Sequence, residues 1–191
     1  IVTTSTPTMT VGPGVDAESD FQTFTYEVYT DEALTNLIVT ASNRPSSWTV
    51  TPPLTSENQT NWWRARGNDG YEDGPWSTAH NFILDAVNSP PIPGQLLEPI
   101  GNAAAPSTRT YFDWDEPTDP DPIQRAVTFS VHVATDSNFQ FATQFLGVPN
   151  SEMIFGGFPV AQRFWWKVRV TDNLNLWSES SVEQFFIPGP G

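Results

Sequence analysis

The chain is written twice, and that duplication constrains the fold more than any single residue does. Phe24-Thr25-Tyr26-Glu27-Val28-Tyr29-Thr30-Asp31 recurs as Phe129-Ser130-Val131-His132-Val133-Ala134-Thr135-Asp136. Trp62-Trp63-Arg64-Ala65-Arg66 recurs as Trp165-Trp166-Lys167-Val168-Arg169, and Trp76-Ser77 as Trp177-Ser178. The offsets are 105, 103 and 101 residues. Self-similarity at a fixed period marks repeated folding units, and drifting offsets mean small loop insertions between fixed elements. The boundary is expected at Asn88–Gly94, where Pro90, Pro91 and Pro93 make a short, stiff, extended connector. The expected organisation is a module over 1–87, a Pro-rich linker over 88–94 and a module over 95–191, standing end to end with limited swing.

Both copies read as β. Phe24, Tyr26 and Val28 alternate with Thr25, Glu27 and Tyr29, and Phe129, Val131 and Val133 with Ser130, His132 and Ala134. Period two over that length buries one face and wets the other. In the later run, Phe164, Trp166, Val168 and Val170 share one parity, and Arg163, Trp165, Lys167 and Arg169 the other. Turn clusters such as Asn68-Asp69-Gly70 bound these runs. Pro117, Pro120 and Pro122 lie too close together for a sheet interior, because proline supplies no ladder donor. About seven short strands per ~100 residues is the pattern of a sandwich of two antiparallel sheets. Trp63, Trp114 and Trp166 fall on the inward parity and are expected in the cores.

Two strings carry a family resemblance. Phe164-Trp165-Trp166-Lys167-Val168-Arg169-Val170-Thr171-Asp172, then Trp177-Ser178, then Phe185, resembles the bacterial type of fibronectin type III domain. So does Trp62-Trp63-Arg64-Ala65-Arg66-Gly67-Asn68-Asp69, then Trp76-Ser77, then Phe82. In the second copy Leu96 and Pro99 resemble the first strand, Phe112-Asp113-Trp114 the second, and Thr135-Asp136 with Phe139 the turn after the third. The resemblance covers nearly the whole chain. It implies an all-β pair of tandem immunoglobulin-like (fibronectin type III-like) β-sandwiches, each a non-catalytic extracellular spacer or adhesive unit. Two departures stand out. The family's corner tyrosine, whose hydroxyl ties a loop down, is replaced at the equivalent positions by Asn61 and Phe164. Aligning Val11 with Trp114 sets Ile1 opposite Ala104, so the first module is expected to lack its opening strand and to expose a sheet edge. A clipped chain explains this; so does a strand donated by a neighbouring copy.

Charge and composition narrow the function. The 191 residues hold 22 acidic and 8 basic side chains, for a net charge of -14, which repels phosphate backbones and argues against nucleic acid. No apolar run approaches the ~20 residues of a membrane helix. Cysteine is absent, so disulfide and thiol chemistry are excluded. The chain starts at Ile1 and stops at Pro188-Gly189-Pro190-Gly191, and is read as a mature product or an excised piece. His80 and His132 fall at non-equivalent places, and no Ser–His–acid triad is suggested, so no enzyme is expected.

Three constellations remain as candidate sites. Asp113, Asp115, Glu116, Asp119 and Asp121 put five carboxylates within nine residues. Hard cations take six to eight oxygens, so Asp113, Asp115, Asp119 and Asp121 are candidate calcium ligands; the alternative is that these Asp side chains cap turns. Thinner acidic runs lie at Asp16, Glu18 and Asp20, and over Asn68–Gly74. Arg64, Arg66, Lys167 and Arg169 hold four of the eight cations on the outward parity of the two Trp strands, with Trp76 and Trp177 one loop later. Guanidinium over indole is a favourable stack, so a ladder of alternating cations and indoles is expected on each module. The functional rival is a sugar platform of Trp48, Trp62 and Trp165. The expected function is therefore an extracellular or cell-surface structural, adhesive or filament-forming pair. Its expected partners are other domains of its parent or neighbouring copies, and the alternative partner is polysaccharide.

Overall fold

Alternation sets which side chains enter the interior. In a computed structural model describing residues 1–12, 22–122 and 127–190, β2 (Thr23–Tyr29) buries Phe24, Tyr26 and Val28. The eleven residues of β13 (Gln162–Asp172) alternate almost without a break, burying Phe164, Trp166, Val168 and Val170. Both cores grow outward from these strands. All regular structure among the described residues is β, in two units, Ile1–Val87 and Asn88–Gly191.

The first unit adds β1 (Thr8–Thr10), β3 (Leu37–Arg44), β4 (Ser47–Thr49), β5 (Thr60–Asn68) and β6 (His80–Ile83). One sheet has the order β3-β2-β5-β6 and the other is the pair β1-β4. Between them Met9, Tyr26, Val28, Trp48, Val50, Ala65 and Leu84 form the core. The second unit comprises β7 (Leu96–Glu98), β8 (Ala103–Ala104), β9 (Thr110–Trp114), β10 (Val127–Ala134), β11 (Thr143–Val148), β12 (Glu152–Phe155), β13, β14 (Trp177–Glu179) and β15 (Glu183–Ile187). Its sheets run β12-β9-β7 and β11-β10-β13-β15-β8, with β14 also on β13. These are two tandem immunoglobulin-like, fibronectin type III-like β-sandwiches.

Matching hydrogen bonds fix the equivalence of the copies. Val11 N–H donates to Ser46 O at 2.9 Å, as Trp114 N–H does to Ser151 O at 3.0 Å. Val2 N–H donates to Ile83 O at 2.8 Å, as Ala105 N–H does to Phe186 O at 2.9 Å. Val11 therefore stands where Trp114 stands, and Val2 where Ala105 does. The parallel β15–β8 pairing survives in the first unit as the Val2–Leu84 bridge. The place of β7 has no strand among the described residues: β9 lies between β12 and β7, whereas β1 pairs with β4 alone.

The cores share a plan but not their side chains. Trp166 is fully buried, packs edge-on to Phe112 at 5.0 Å and donates its Nε1–H to Pro99 O at 2.7 Å. Trp63, its counterpart, is only half-buried and lies against Tyr26 at 6.3 Å and His80 at 6.0 Å. The expectation of a fully interior Trp63 fails because the smaller Val11, Ala65 and Gly67 leave that end of the sandwich open. The missing corner tyrosine is replaced in two ways. Asn61 is fully buried, donates to Gln59 O at 3.1 Å and accepts from Ser56 Oγ–H at 2.6 Å. Phe164 stacks on Phe185 at 5.3 Å and needs no polar partner.

The expected linker is not a free segment. Asn88 donates to Asp172 at 2.7 Å, Ser89 N–H to Asp121 at 3.0 Å, and Ile92 exchanges two backbone bonds with Thr118. Ser178 donates its hydroxyl to Pro91 O. Residues 88–94 are thus tied onto the second unit. Proline removes donors from this segment but leaves its carbonyls and the intervening N–H groups to be bonded.

Candidate functional site

The outward parity of β5 and β13 carries most of the cationic chemistry. On β5, Arg64 donates to Glu27 on β2, Nε to Oε2 at 2.9 Å, and to the Tyr29 hydroxyl at 2.9 Å. Its guanidinium also lies 4.3 Å from the Trp76 ring centre. Arg66 lies 4.6 Å from the same ring and pairs with Asp73 at 2.7 Å. One indole is thus shared by two cations, each with its own carboxylate. Burial lifts the Tyr29 hydroxyl above its usual range, and Glu27 raises it further. Burial alone would lower the Arg64 pKa, but bonding to Glu27 and the nearby Tyr29 hold it above the usual value.

On β13 the arrangement is rewired. Glu179 accepts from Lys167 at 2.5 Å and from Arg169 Nη2 at 2.9 Å. Arg169 lies 3.9 Å from the Trp177 ring, and Lys167 4.8 Å from Phe139. Burial pushes the Glu179 carboxyl up, but bonds from Lys167 and Arg169 outweigh it and hold the pKa below the usual range. His132 occupies the position of Glu27, opposite Lys167 on the neighbouring strand. It is buried, which corrects the expectation that outward parity leaves it wet: it lies between Gln144 and Lys167, long side chains on the two flanking strands. Burial lowers its pKa, and the positive charges of Arg169 and Lys167 add to that.

The Trp-Ser motifs are not structurally equivalent, although their sequences match. Ser77 N–H donates to Ala65 O and its Oγ accepts from Ala65 N–H. Ser180, not Ser178, does the same for Val168. The residue before each serine is Trp76 in one unit and Glu179 in the other. At the hairpin base Asp73 pairs with Asn68, and Trp177 with Thr171. Indole and carboxylate have therefore exchanged places around the second cation.

The other predicted residues fall differently. Trp48 is a correction: it is buried on β4, 5.4 Å from Tyr26, and offers no face to a sugar. Trp62 and Trp165 are half-buried on the outer face, opposite Tyr29 and Ala134 on the adjacent strands. The acidic loop does not converge. Asp121 is buried and accepts from Ser89 N–H, Asp119 accepts from Asp121 N–H at 2.9 Å, Asp113 sits within β9 and Asp115 is exposed. Among the described residues no three His, Asp or Glu side chains gather as a metal-binding group. Asp113, Asp115, Asp119 and Asp121 are too spread along strand and loop to share one ion. The Asn68–Gly74 carboxylates are similarly engaged: Asp69 accepts from Tyr71 and Glu72 N–H at 2.8 and 2.9 Å, and Asp73 holds Arg66. Asp16, Glu18 and Asp20 lie outside the described residues. The exchange at Glu179 is what sequence comparison missed; its one signal was the Ser178-Glu179-Ser180 spacing, which offers two serines to align with Ser77.

No family model matches the chain. No curated protein matches it either. Among solved structures it is similar to the selenomethionine-substituted chicken interferon gamma receptor alpha chain, at 12% identity over 96% of this chain and 97% of that chain, with a TM-score of 0.38. Among the described residues no helix is long and apolar enough to cross a membrane.

Proposed function

We propose that the chain is a non-catalytic architectural pair, of the bacterial fibronectin type III kind, acting as spacer or adhesive unit in a secreted or surface-exposed protein. The observation that supports this best is how the reactive side chains are occupied. Arg64, Arg66, Lys167 and Arg169 are all in ion pairs and His132 is buried, while His80, exposed on β6, has the Trp63 ring 6.0 Å away. Groups held by one another brace a sheet face and are not presented to a substrate. An aromatic core in each unit and a net charge of -14 suit a module that stays soluble. The test is direct. The protein should not turn over chromogenic esters or glycosides, and should stay in the supernatant with insoluble cellulose, chitin or xylan. Turnover sinks the reading. Retention that Trp62→Ala and Trp165→Ala together abolish replaces it with carbohydrate binding, which the half-exposed indoles favour as the second reading.

A further inference from the structure

The outer face of the β12-β9-β7 sheet differs in kind from its counterpart in the first unit. Tyr111 stands opposite Ile154 and Asp113 opposite Glu152, with Glu98 of β7 on the other flank of Asp113. The matching pairs of the first unit are Thr8 with Thr49 and Thr10 with Ser47. Those pairs hold each other through hydroxyl bonds of 3.0 and 3.3 Å. One copy of the fold thus has a neutral hydroxyl face at these places, and the other has an aromatic, an aliphatic and a row of carboxylates. The sandwich itself does not demand that exchange.

The exchange is unfavourable for the isolated unit in two ways. Like charges directly opposite on neighbouring strands repel, and Glu98, Asp113 and Glu152 lie in one cross-strand row. Their field meets at Tyr111, whose hydroxyl donates to Glu152 Oε2 at 2.7 Å. That bond first, then desolvation and the charges of Asp113, Glu152 and Glu98, push the Tyr111 pKa up to about 12. The face also leaves apolar surface in water: Leu97, Ile100, Tyr111 and Ile154 are 38%, 44%, 37% and 50% exposed. Leu97, Ile100, Pro106 and Tyr111 line a groove of about 600 Å³, with Glu98 and Arg109 on its wall. Exposed apolar surface rimmed by charge marks a contact site.

We propose that this face of the second unit docks a basic polypeptide segment, which sets Lys or Arg side chains over Glu98, Asp113 and Glu152 and an apolar side chain in the groove beside Tyr111. Charge complementarity selects the occupant. A second copy is disfavoured, because the chain carries a net charge of -14 and Arg64, Arg66, Lys167 and Arg169 are already paired. Among the described residues no three carboxylates gather as a metal-binding group, so cationic side chains spaced along a partner fit the row better than one ion. Arg109 precedes Tyr111 as Asp113 follows it, which gives the field a direction along the chain. This goes beyond the architectural reading, since the first unit builds the same sandwich without such a face.

The test uses the full chain and the synthetic peptide Lys-Val-Lys-Leu-Lys-Val-Lys, read by titration calorimetry at about 0.15 M salt. Saturable binding is expected. A peptide with Ser in place of Val and Leu should bind at least about tenfold more weakly, since it brings no anchor to the groove. Giving the face the side chains of the first unit, Tyr111→Thr, Asp113→Thr, Glu152→Ser and Ile154→Thr together, should also weaken binding about tenfold or more. Glu32→Gln with Glu72→Gln removes as much charge from exposed places in the first unit. That control should leave binding within about twofold, because exposed charges off the face are screened. Should the exchanged face fail to fold, Glu98→Gln with Asp113→Asn makes the same test at unchanged side-chain size. It should weaken the peptide about tenfold yet raise the melting midpoint of the free protein, because a like-charge pair is relieved. No binding up to about 1 mM peptide, equal binding of the Ser peptide, or an equal loss in the Glu32→Gln, Glu72→Gln control overturns the proposal. So does a dimer that the exchanged face abolishes, because a second copy is then the occupant.

Discussion

Trp76 and Glu179 stand in the same place in the two units, each just before the serine that bonds the central strand, yet one is an indole and the other a carboxylate. Trp76 lies over Arg64 and Arg66; Glu179 bonds Lys167 and Arg169. The compensating residues are Asp73, which pairs with Arg66, and Trp177, which stacks on Arg169. Both solutions keep one stacking partner and one counter-charge beside the second cation, and differ in which side each comes from.

Because Trp76 meets two guanidinium groups and Trp177 one, the two indoles should not be equal. At ~0.5–1 kcal/mol per exposed stack, Trp76→Ala should cost about 1–2 kcal/mol and Trp177→Ala about half of that. Urea unfolding of each variant reads the difference. A double-mutant cycle of Arg64 with Trp76 should return a coupling within the single-stack range, and zero coupling would remove the stack from the account.

The two central indoles should differ far more. Trp166→Ala opens a fully buried cavity and strands the Pro99 carbonyl, so it should cost about 3–5 kcal/mol and unfold the second unit first. Trp63→Ala, at a half-buried site beside open space, should cost clearly less. Trp165→Ala, on the outer face, should be milder still. Calorimetry of the three variants orders them.

Stability should fall in two steps on acidification. His132 has a depressed pKa in the folded state, so the unfolded chain binds its proton first. Its contribution is present above ~6.5, the ordinary histidine value, and is lost as pH falls through the lower folded value. Glu179, also depressed, acts in the same direction but lower, below its ordinary 4.5. His132→Gln should flatten the upper step in a melting-midpoint profile and leave the lower one. Glu179→Gln should flatten the lower step and cost stability at neutral pH, since Lys167 and Arg169 would lose their shared acceptor.

Asn61→Ala should be disproportionately harmful for so small a change. It leaves the half-buried Ser56 hydroxyl without its buried acceptor, while Gln59 O keeps the bond from Leu84 N–H at 3.2 Å. Losing such a part-buried hydrogen bond costs about 0.5–1.5 kcal/mol. Chemical unfolding should show that loss in the first unit, whereas Phe164→Leu should show only a packing penalty in the second.

The period-two runs at Phe24–Val28 and Phe164–Val170 determined the strands, the buried face and the sandwich class, because side-chain alternation is a local property of extended chain. The duplication determined that there are two units, and the alignment of Val11 with Trp114 matched the backbone bonds. Sequence could not decide which tryptophan is wrapped: Trp48 and Trp62 look alike in print, but one packs on Tyr26 and the other stands on the outer face. Nor could it decide the pairing of Trp76 with Glu179. A slip along a strand by an even number of residues returns a side chain to the same face, so matching letters and matching places can part company without breaking the pattern. Linear order settles facing; only the packed sheets settle neighbours, since a neighbour is set by the register of another strand and by the volume left beneath it.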